Sequence, residues 1–207
     1  MVQRQTWKHF AKNKLRPIKP LFFYLVKQRM ALTDNEILLK IKIPTEKEEG
    51  FRALMVNYKK KLYYHIRRYV NNHDDANDIL QNTFLKVWLA IEQFRGDCSL
   101  YSWLYRIASN ESITYINKTK KRNEIGLESE TIKENVSEDN IQSSEIIERL
   151  EKAIAILPDK QKQVFILRYY DEMPYEKMSE VLETSIGALK ASYFHAVKKV
   201  EQFILAV

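Results

Sequence analysis

Glycine, proline and cysteine are all scarce in this chain of 207 residues. It holds four glycines, five prolines and a single cysteine, Cys98. Sandwiches and barrels of many short strands need frequent tight turns, so this shortage argues against them and favours an all-α protein. A single cysteine cannot form an internal disulfide, and its rarity fits a reducing compartment.

Long apolar runs are missing as well. The run "LFFYLV" in the basic first 29 residues is too short for the core of a signal peptide or for a membrane span. We therefore expect no membrane span and a cytoplasmic protein. Two interpretations of residues 1–29 stay open: a flexible basic arm, or a stretch that precedes a natural start at Met30. Directly after it, Thr33 or Asp34 is suited to cap a helix.

The usual motifs of enzymes are not found. The sequence has no glycine-rich phosphate loop, no cluster with metal-ligand spacing and no convincing pair of nucleophile and base. Its four histidines are scattered: His9, His65, His73 and His195. We expect a protein that is not an enzyme and that binds no metal or cofactor.

Charge is present in quantity and is unevenly distributed. Apolar residues make up 45% of the chain, enough for real cores, and the net charge of +7 is compatible with a nucleic-acid partner. Residues 123–148 hold eight acidic residues and one basic residue, Lys133, and no aromatic residue. We interpret this segment as a linker, with a helix beginning near Ser143. A plain solvated loop is the simpler explanation of its acidity, and repulsion from DNA is the alternative.

Three amphipathic helices are predicted before this linker. The first follows "EGFRALMVNYKKKLYYHIRRYV", in which apolar side chains recur every three or four residues and basic ones fill the other face. The second begins near Asp74, a good N-cap, and runs through "ILQNTFLKVWLAIEQF" until Gly96 interrupts it. The third is "YSWLYRIASNESITYINKTKKR", residues 101–122, which ends in a basic cluster.

The third helix begins with several aromatic residues, which could either pack in the protein core or stack on a nucleic-acid base. Helical spacing places Leu100, Leu104, Ile107 and Ala108 inward. We interpret Trp103 as part of the same core, because an aromatic residue at helical spacing is more often packed than stacked on a base. The stacking role is the alternative.

The segment after the linker has the spacing of a helix-turn-helix. Pro158 suits the start of a helix, and a later short helix ends at the turn 183–185. Ser185 is a suitable N-cap for the last helix, which opens with the small residues Gly187 and Ala188. A generic helical hairpin shows a similar pattern, so the pattern alone does not establish DNA binding.

From about Thr33 to Phe203 the chain resembles the extracytoplasmic-function (ECF) sigma factors, the smallest sigma subunits of bacterial RNA polymerase. The matching blocks occur in order: "DDANDILQNTFLKVW", "WLYRIASN", the acidic linker, "LPDKQKQVFILRYYDEMPYEKMSEVL" and "SIGALKASYFHAVKKV". The resemblance implies two small helical domains, at 30–122 and 149–207, joined by a flexible acidic linker at 123–148. The first domain would bind the polymerase clamp and the −10 promoter element. The second would read the −35 element and bind the polymerase flap.

The resemblance also implies site residues. Four residues of the second helix match the clamp-binding surface, although such a polar patch is usually plain solvated surface: Asp78, Gln81, Asn82 and Leu85. The loop "RGDCS" would form the rim of a pocket for an unstacked −10 base. Asn110 matches the asparagine that opens the DNA-reading turn. The basic residues that follow suit phosphates of the adjacent duplex: Lys118, Lys120, Lys121 and Arg122.

In the second domain, three residues of the last helix match positions that face bases: Lys190, Ala191 and Phe194. Four residues match positions near phosphates: Arg168, Tyr175, His195 and Lys198. The chain departs from the family at Thr114 and Asn117, where aspartate and arginine are usual. It also has His195 in place of an arginine, and a histidine is a weaker phosphate ligand near neutral pH. These departures put the promoter sequence in doubt but not the fold.

The resemblance implies core RNA polymerase and promoter DNA as partners, and an anti-sigma factor as a further one. The main rival function is a stand-alone helix-turn-helix regulator that binds DNA without polymerase. Complex formation with core polymerase separates the two, because only a sigma factor requires it.

Overall fold

The computed structural model describes residues 32–124 and 141–206. In these ranges all regular elements are helical and none is a strand, which confirms the all-α prediction. No helix of the same ranges combines the length and apolarity that crossing a membrane needs. The segment 1–29 lies outside the described residues, as does most of the predicted linker.

The described chain divides between Asn57 and Tyr58 into two compact units. The sequence places its main boundary elsewhere, in the linker at 123–148, and that division into domains stays a prediction. Each unit is described by itself below.

The first unit contains helix α1 (Asp34–Lys42) and the first half of α2 (Lys47–Arg67). Thr33 caps α1, as the sequence suggested: its hydroxyl accepts from the backbone N–H of Glu36, and its own N–H donates to the Glu36 carboxylate at 2.7 Å. The reciprocal bonds satisfy donors that a bare helix end would leave unpaired.

Gly50 lets the two helices of this unit approach each other closely. A β-carbon there would lie 2.9 Å from the side chain of Ile41 and 3.0 Å from its backbone nitrogen. Ile37 and Ile41 are buried beside this contact. Gly50 is the fourth residue of α2, and the close packing that it allows offsets the conformational freedom that a glycine loses on folding.

The second unit begins with the rest of α2, followed by α3 (His73–Ala90) and α4 (Leu100–Glu124). Its core residues before the linker repeat at helical spacing: Leu62, Ile66, Ile79, Leu80, Val87, Leu104 and Ala108 are all buried. The N-cap of α3 differs from the sequence-based expectation. The Asn72 side chain accepts from the N–H of Asp74 at 2.8 Å, so Asn72 is the cap and Asp74 lies in the first turn.

The remaining helices follow the predicted linker: α5 (Ile141–Ala155), α6 (Asp159–Phe165), α7 (Tyr175–Leu182) and α8 (Ile186–Leu205). A wide helical turn, Ile166–Tyr170, continues α6. They enclose a core formed by Ala153, Ile154, Leu157, Phe165, Ala196 and Val200. Glu183 ends α7 in the left-handed conformation with φ of 50°, and the Ser185 hydroxyl caps α8 by accepting from the N–H of Ala188. This order of short helix, tight turn and long helix matches the spacing that the sequence predicts for a helix-turn-helix.

Candidate nucleic-acid interface

An exposed face of α3 carries the four residues that the sequence assigns to polymerase binding. Asp78, Gln81, Asn82 and Leu85 are all exposed, while the opposite face of α3 is buried. Leu85 is 56% exposed, and Leu89, one turn further on, is 68% exposed. Sequence analysis did not name Leu89, although its spacing of four from Leu85 is a usable signal. We call these five residues the α3 face.

Contacts along the flank of α3 fix its position against α4. The Tyr115 hydroxyl donates to the Asp75 carboxylate at 2.6 Å, and Lys86 forms an ion pair with Glu111. Burial raises the pKa of the Tyr115 hydroxyl to about 12, and its hydrogen bond to Asp75 adds to this effect. The hydroxyl therefore stays protonated and keeps its role as donor throughout the physiological pH range.

Asn110 and the basic cluster lie at different positions along α4. Asn110 is exposed near the middle of the helix, and the four basic residues near its end, Lys118, Lys120, Lys121 and Arg122, are exposed as well. Lys121 lies eleven residues beyond Asn110, which is about three helical turns, so both point to the same side about 16 Å apart. The Asn110 carboxamide and the Lys121 ammonium therefore lie on the same side of α4, parallel to the helix axis.

The loop before α4 lines a cleft of about 490 Å³. Arg95, Gly96, Asp97 and Cys98 form one side of it, and Gly96 has a φ of 82°, which favours glycine. Burial raises the pKa of the Cys98 thiol, so the thiol is protonated at neutral pH. Within the described part of the chain, no group of three His, Cys, Asp or Glu side chains is arranged to hold a metal ion.

Trp103 also lines this cleft, and the structure confirms its assignment to the core only in part. The side chain is only partly buried and packs against Phe94, with ring centroids 5.2 Å apart. It is less buried than its neighbours because it faces the loop and the cleft, whereas Leu100, Leu104 and Ala108 are buried as expected. Ile107 is only partly buried.

The last helix presents an exposed face that combines aromatic and basic side chains. Lys190, Ala191, Phe194 and Lys198 are exposed, with Phe194 at 57%. The Lys198 ammonium lies 5.2 Å from the centroid of the Phe194 ring. The opposite face packs inward through Leu189, Ala196 and Val200. We call the exposed side the α8 face.

Two cations converge on one aromatic ring beside the α8 face. The Arg168 guanidinium lies 5.1 Å from the centroid of the Tyr175 ring, and the Lys190 ammonium lies 5.7 Å from it. Arg168 also donates to the carbonyl of Met173 at 3.1 Å. The structure therefore brings together three of the residues assigned to the −35 element. His195 is exposed nearby, with its ring 5.7 Å from that of Phe194.

Sequence analysis missed a group of polar contacts on the far wall of the cleft. The Ser102 hydroxyl donates to the Glu180 carboxylate at 2.6 Å, and Arg106 bonds to the Glu180 carbonyl and pairs with Glu183. Hydrogen bonds from Lys177 and then Ser102 lower the pKa of Glu180 to about 2. Ser102 and Arg106 are more than 70 residues from Glu180 and Glu183 in sequence, so no local pattern could have revealed these contacts.

Two family models match this chain. The model of sigma-70 region 2 matches residues 54–122, which include the α3 face and Asn110. The model of sigma-70 region 4 matches residues 147–200, which include most of the α8 face. Together they span both halves of the candidate interface, in the order that the resemblance implied.

Curated relatives match over most of their own length. The protein named ECF RNA polymerase sigma-E factor from Salmonella typhimurium is 28% identical over 181 residues, which is 82% of this chain and 93% of the relative. The protein of the same name from Haemophilus influenzae is 29% identical over 184 residues, covering 84% of this chain and 96% of the relative.

Solved structures share the fold. CnrH, solved in complex with the cytosolic domain of CnrY, matches with a TM-score of 0.60 at 19% identity, covering 83% of this chain and 96% of CnrH. The sigma factor RpoE from Bartonella quintana, solved in complex with the anti-sigma factor NepR, matches with a TM-score of 0.58 at 20% identity. The match covers 76% of this chain and 98% of RpoE. With both family models and the curated relatives in agreement, the chain belongs to the sigma-70 family and, within it, to the ECF sigma factors.

Proposed function

We propose that this sigma factor directs bacterial RNA polymerase to promoters through three separate surfaces: the α3 face, the Asn110 side of α4 and the α8 face. The observation that carries the proposal is that one chain exposes a mixed polar and apolar face on α3 and a basic and aromatic face on α8. A protein that only bound DNA would not need the first of these.

The α3 face would bind the polymerase clamp. Leu85 and Leu89 are exposed by 56% and 68%, and the polar residues Asp78, Gln81 and Asn82 precede them on the same face of α3. Protein interfaces combine apolar and polar side chains in this way. Its single charge is negative, so this face is unsuited to nucleic acid.

The α8 face would read the −35 element in the major groove. Phe194 and Ala191 suit contact with the methyl group of thymine, and Lys190 suits the acceptors of guanine. Tyr175, Arg168, His195 and Lys198 would contact the backbone and fix the register of the helix, and the convergence of the two cations on the Tyr175 ring supports this arrangement. In the same domain, α7 and α8 also contribute to the surface that would meet the polymerase flap.

Asn110 and its neighbours would act at the −10 element. A carboxamide offers donors and an acceptor together, which suits the edge of an unpaired base. The loop 95–99 would hold an unstacked base at the cleft, where Trp103 is accessible for stacking. The cations at the end of α4, from Lys118 to Arg122, would hold phosphates of the adjacent duplex and make binding dependent on salt.

The sigma factor would itself change no covalent bond, since RNA synthesis belongs to the polymerase. Capture of exposed bases offsets the few kcal/mol that each unstacked base step costs. We further propose a cytoplasmic location and an anti-sigma factor as a regulatory partner. The RpoE neighbour, solved with an anti-sigma factor, supports the latter.

Co-purification with core polymerase separates this function from that of a stand-alone regulator. Tagged chain mixed with core polymerase should retain it, and Asp78→Lys should weaken retention at least ten-fold. Glu48→Lys is the matched control, because it makes the same charge change at an exposed position outside the α3 face. A chain that binds duplex promoter DNA but never retains core polymerase would support the stand-alone regulator instead.

A further inference from the structure

The exposed side of α2 carries three consecutive lysines that the proposed function does not use. Lys59, Lys60 and Lys61 are all exposed. The sequence has no acidic residue from position 50 to position 73, so no neighbour along the helix offsets their charge. Cations gathered on one helix without compensating acids are suited to a partner that carries negative charge, above all nucleic acid.

These three lysines also differ from Lys40 in their contacts. The Lys40 ammonium forms ion pairs with Glu46 at 2.8 Å and Glu49 at 3.2 Å. Among the residues that the structure describes, no carboxylate lies within ion-pair distance of the three ammonium groups on α2. Their charges therefore remain available to phosphate groups.

An exposed tyrosine lies among the lysines, one turn after Lys60. The Lys60 ammonium is 6.0 Å from the centroid of the Tyr64 ring, and Tyr64 is 56% exposed. The Tyr63 ring packs edge-on against it, with centroids 5.7 Å apart, and is itself stacked on the ring of His73. These contacts hold the Tyr64 ring in place before a partner binds, which lowers the cost of binding. We call this surface the α2 ridge: Lys59, Lys60, Lys61 and Tyr64.

Helix α2 packs against the helix that carries Asn110. Nε2 of His65, on the buried side of α2, lies 2.9 Å from the hydroxyl oxygen of Ser109, the residue before Asn110 on α4. Axes of packed helices are about 8–10 Å apart, so the outer side of α2 is separated from α4 by about one helix diameter. A single strand that is read at Asn110 can therefore reach the α2 ridge with nucleotides outside the −10 bases.

We propose that the α2 ridge binds unpaired DNA next to the −10 bases, with its lysines on phosphates and one base stacked on the Tyr64 ring. The inference rests on the proposed function for the source of the single strand, which is promoter opening. Surfaces that bind single strands without sequence preference combine cations along the backbone with aromatic rings that stack on bases. Bases in a duplex are already stacked on each other, so the Tyr64 ring favours the open form of the promoter over the closed form.

Fluorescence anisotropy of the full chain with a labelled 15-nucleotide single strand of random sequence measures binding by the α2 ridge. Lys60→Gln with Lys61→Gln removes the two cations one turn before Tyr64 and should weaken binding at least five-fold. The slope of log affinity against log salt should become less steep by about 1.4, which is about 0.7 for each lost phosphate contact. The control pair, Lys42→Gln with Lys160→Gln, removes two exposed lysines elsewhere and should change the affinity less than two-fold.

Tyr64→Leu tests the stacked base, because it removes the ring and keeps an apolar side chain. It should weaken single-strand binding at least five-fold and leave both the salt slope and the binding of a 15-base-pair duplex unchanged. Tyr64→Phe keeps the ring and should bind the strand as the parent does. Tyr169→Leu is the matched control, since Tyr169 is a tyrosine of similar exposure, 51%, in the turn after α6. Circular dichroism checks folding, and the lysine pair decides the outcome if Tyr64→Leu unfolds.

Open complexes with core polymerase test the α2 ridge at a promoter. On fragments that the parent holoenzyme transcribes, Lys60→Gln with Lys61→Gln should shorten the lifetime of the open complex after a salt challenge at least five-fold. Retention of core polymerase should stay unchanged.

Three results would overturn the proposal: the parent's strand affinity in both ridge variants, equal losses on strand and duplex for Tyr64→Leu, or an unchanged open-complex lifetime. Loss of core polymerase retention with unchanged strand binding would also overturn it, and would make the α2 ridge a protein-binding surface. A parent that forms no open complex on any fragment would refute the proposed function, while strand binding by the free chain would still decide whether the α2 ridge binds unpaired DNA.

Discussion

Phe194 and Phe165 allow the proposed −35 surface to be tested within a single domain. Both are phenylalanines of the C-terminal helices, yet Phe194 is 57% exposed and Phe165 is 3% exposed. Replacement by alanine therefore removes the same atoms from two different environments. We expect Phe194→Ala to impair promoter binding and Phe165→Ala to impair folding.

The expected magnitudes follow from these exposures. Truncation of a fully buried phenylalanine costs about 3–5 kcal/mol, which applies to Phe165. Phe194 is less than half buried, so its truncation should cost about 1–2 kcal/mol of stability, including the loss of its contact with Lys198. A phenylalanine presents 150–250 Å² in all, so the exposed part leaves about 100 Å² for a thymine methyl group and its surroundings. At about 25 cal/mol per Å², full burial of that area contributes at most about 2.5 kcal/mol, or roughly 60-fold in affinity.

The assay combines urea unfolding with binding of holoenzyme to promoter duplex at fixed salt. Phe194→Ala should unfold within about 2 kcal/mol of the parent and lose about 10- to 60-fold in promoter affinity. Phe165→Ala should lower the free energy of unfolding by about 3–5 kcal/mol in the same assay. A stable Phe194→Ala holoenzyme with the parent's affinity would refute the assignment of this ring to a base contact.

Three further changes probe the other surfaces. Asp78→Lys should leave helicity and stability unchanged and weaken binding to core polymerase by about 1–3 kcal/mol in a titration. Unchanged affinity would show that the α3 face does not bind the clamp. Asn110→Ala should melt near the parent's temperature but give less open promoter by permanganate footprinting. Trp103 is partly exposed, so Trp103→Ala should lower the free energy of unfolding by about 1–3 kcal/mol and also reduce promoter opening. Normal opening by Trp103→Ala would exclude a stacking role. Gly50→Ala should destabilise by about 1–2 kcal/mol in thermal unfolding, because its β-carbon would lie 2.9 Å from the side chain of Ile41; a stabilised variant would show that the helices can separate to admit it.

Local features of the fold were predictable from the sequence. The spacing of apolar residues on the last helix and the cap at Ser185 both depend on neighbours within a turn, and both are confirmed. The cap of α3 was assigned to Asp74 instead of Asn72 because both residue types cap well and stand two apart. Trp103 is less buried than expected for a different reason: periodicity gives the side of a helix but not what covers it.

Contacts between distant segments could not be predicted. His65 is a lone histidine at an inward position of α2, and nothing near it in sequence indicates a partner at Asp171. Glu180 likewise has the sequence context of an ordinary exposed acid, and nothing near it indicates its hydrogen bond to Ser102 on α4. The family resemblance supplied most residues of the α3 and α8 faces, and the side-chain roles within them stay predictions.

Transcription with purified core polymerase on a genomic fragment library tests the central claim most directly. Addition of this chain should produce run-off transcripts from a defined subset of fragments that share sequence at both promoter elements. Asp78→Lys and Phe194→Ala should each reduce those transcripts, while Glu48→Lys should not. Core polymerase that yields the same transcripts with and without the chain would contradict the account.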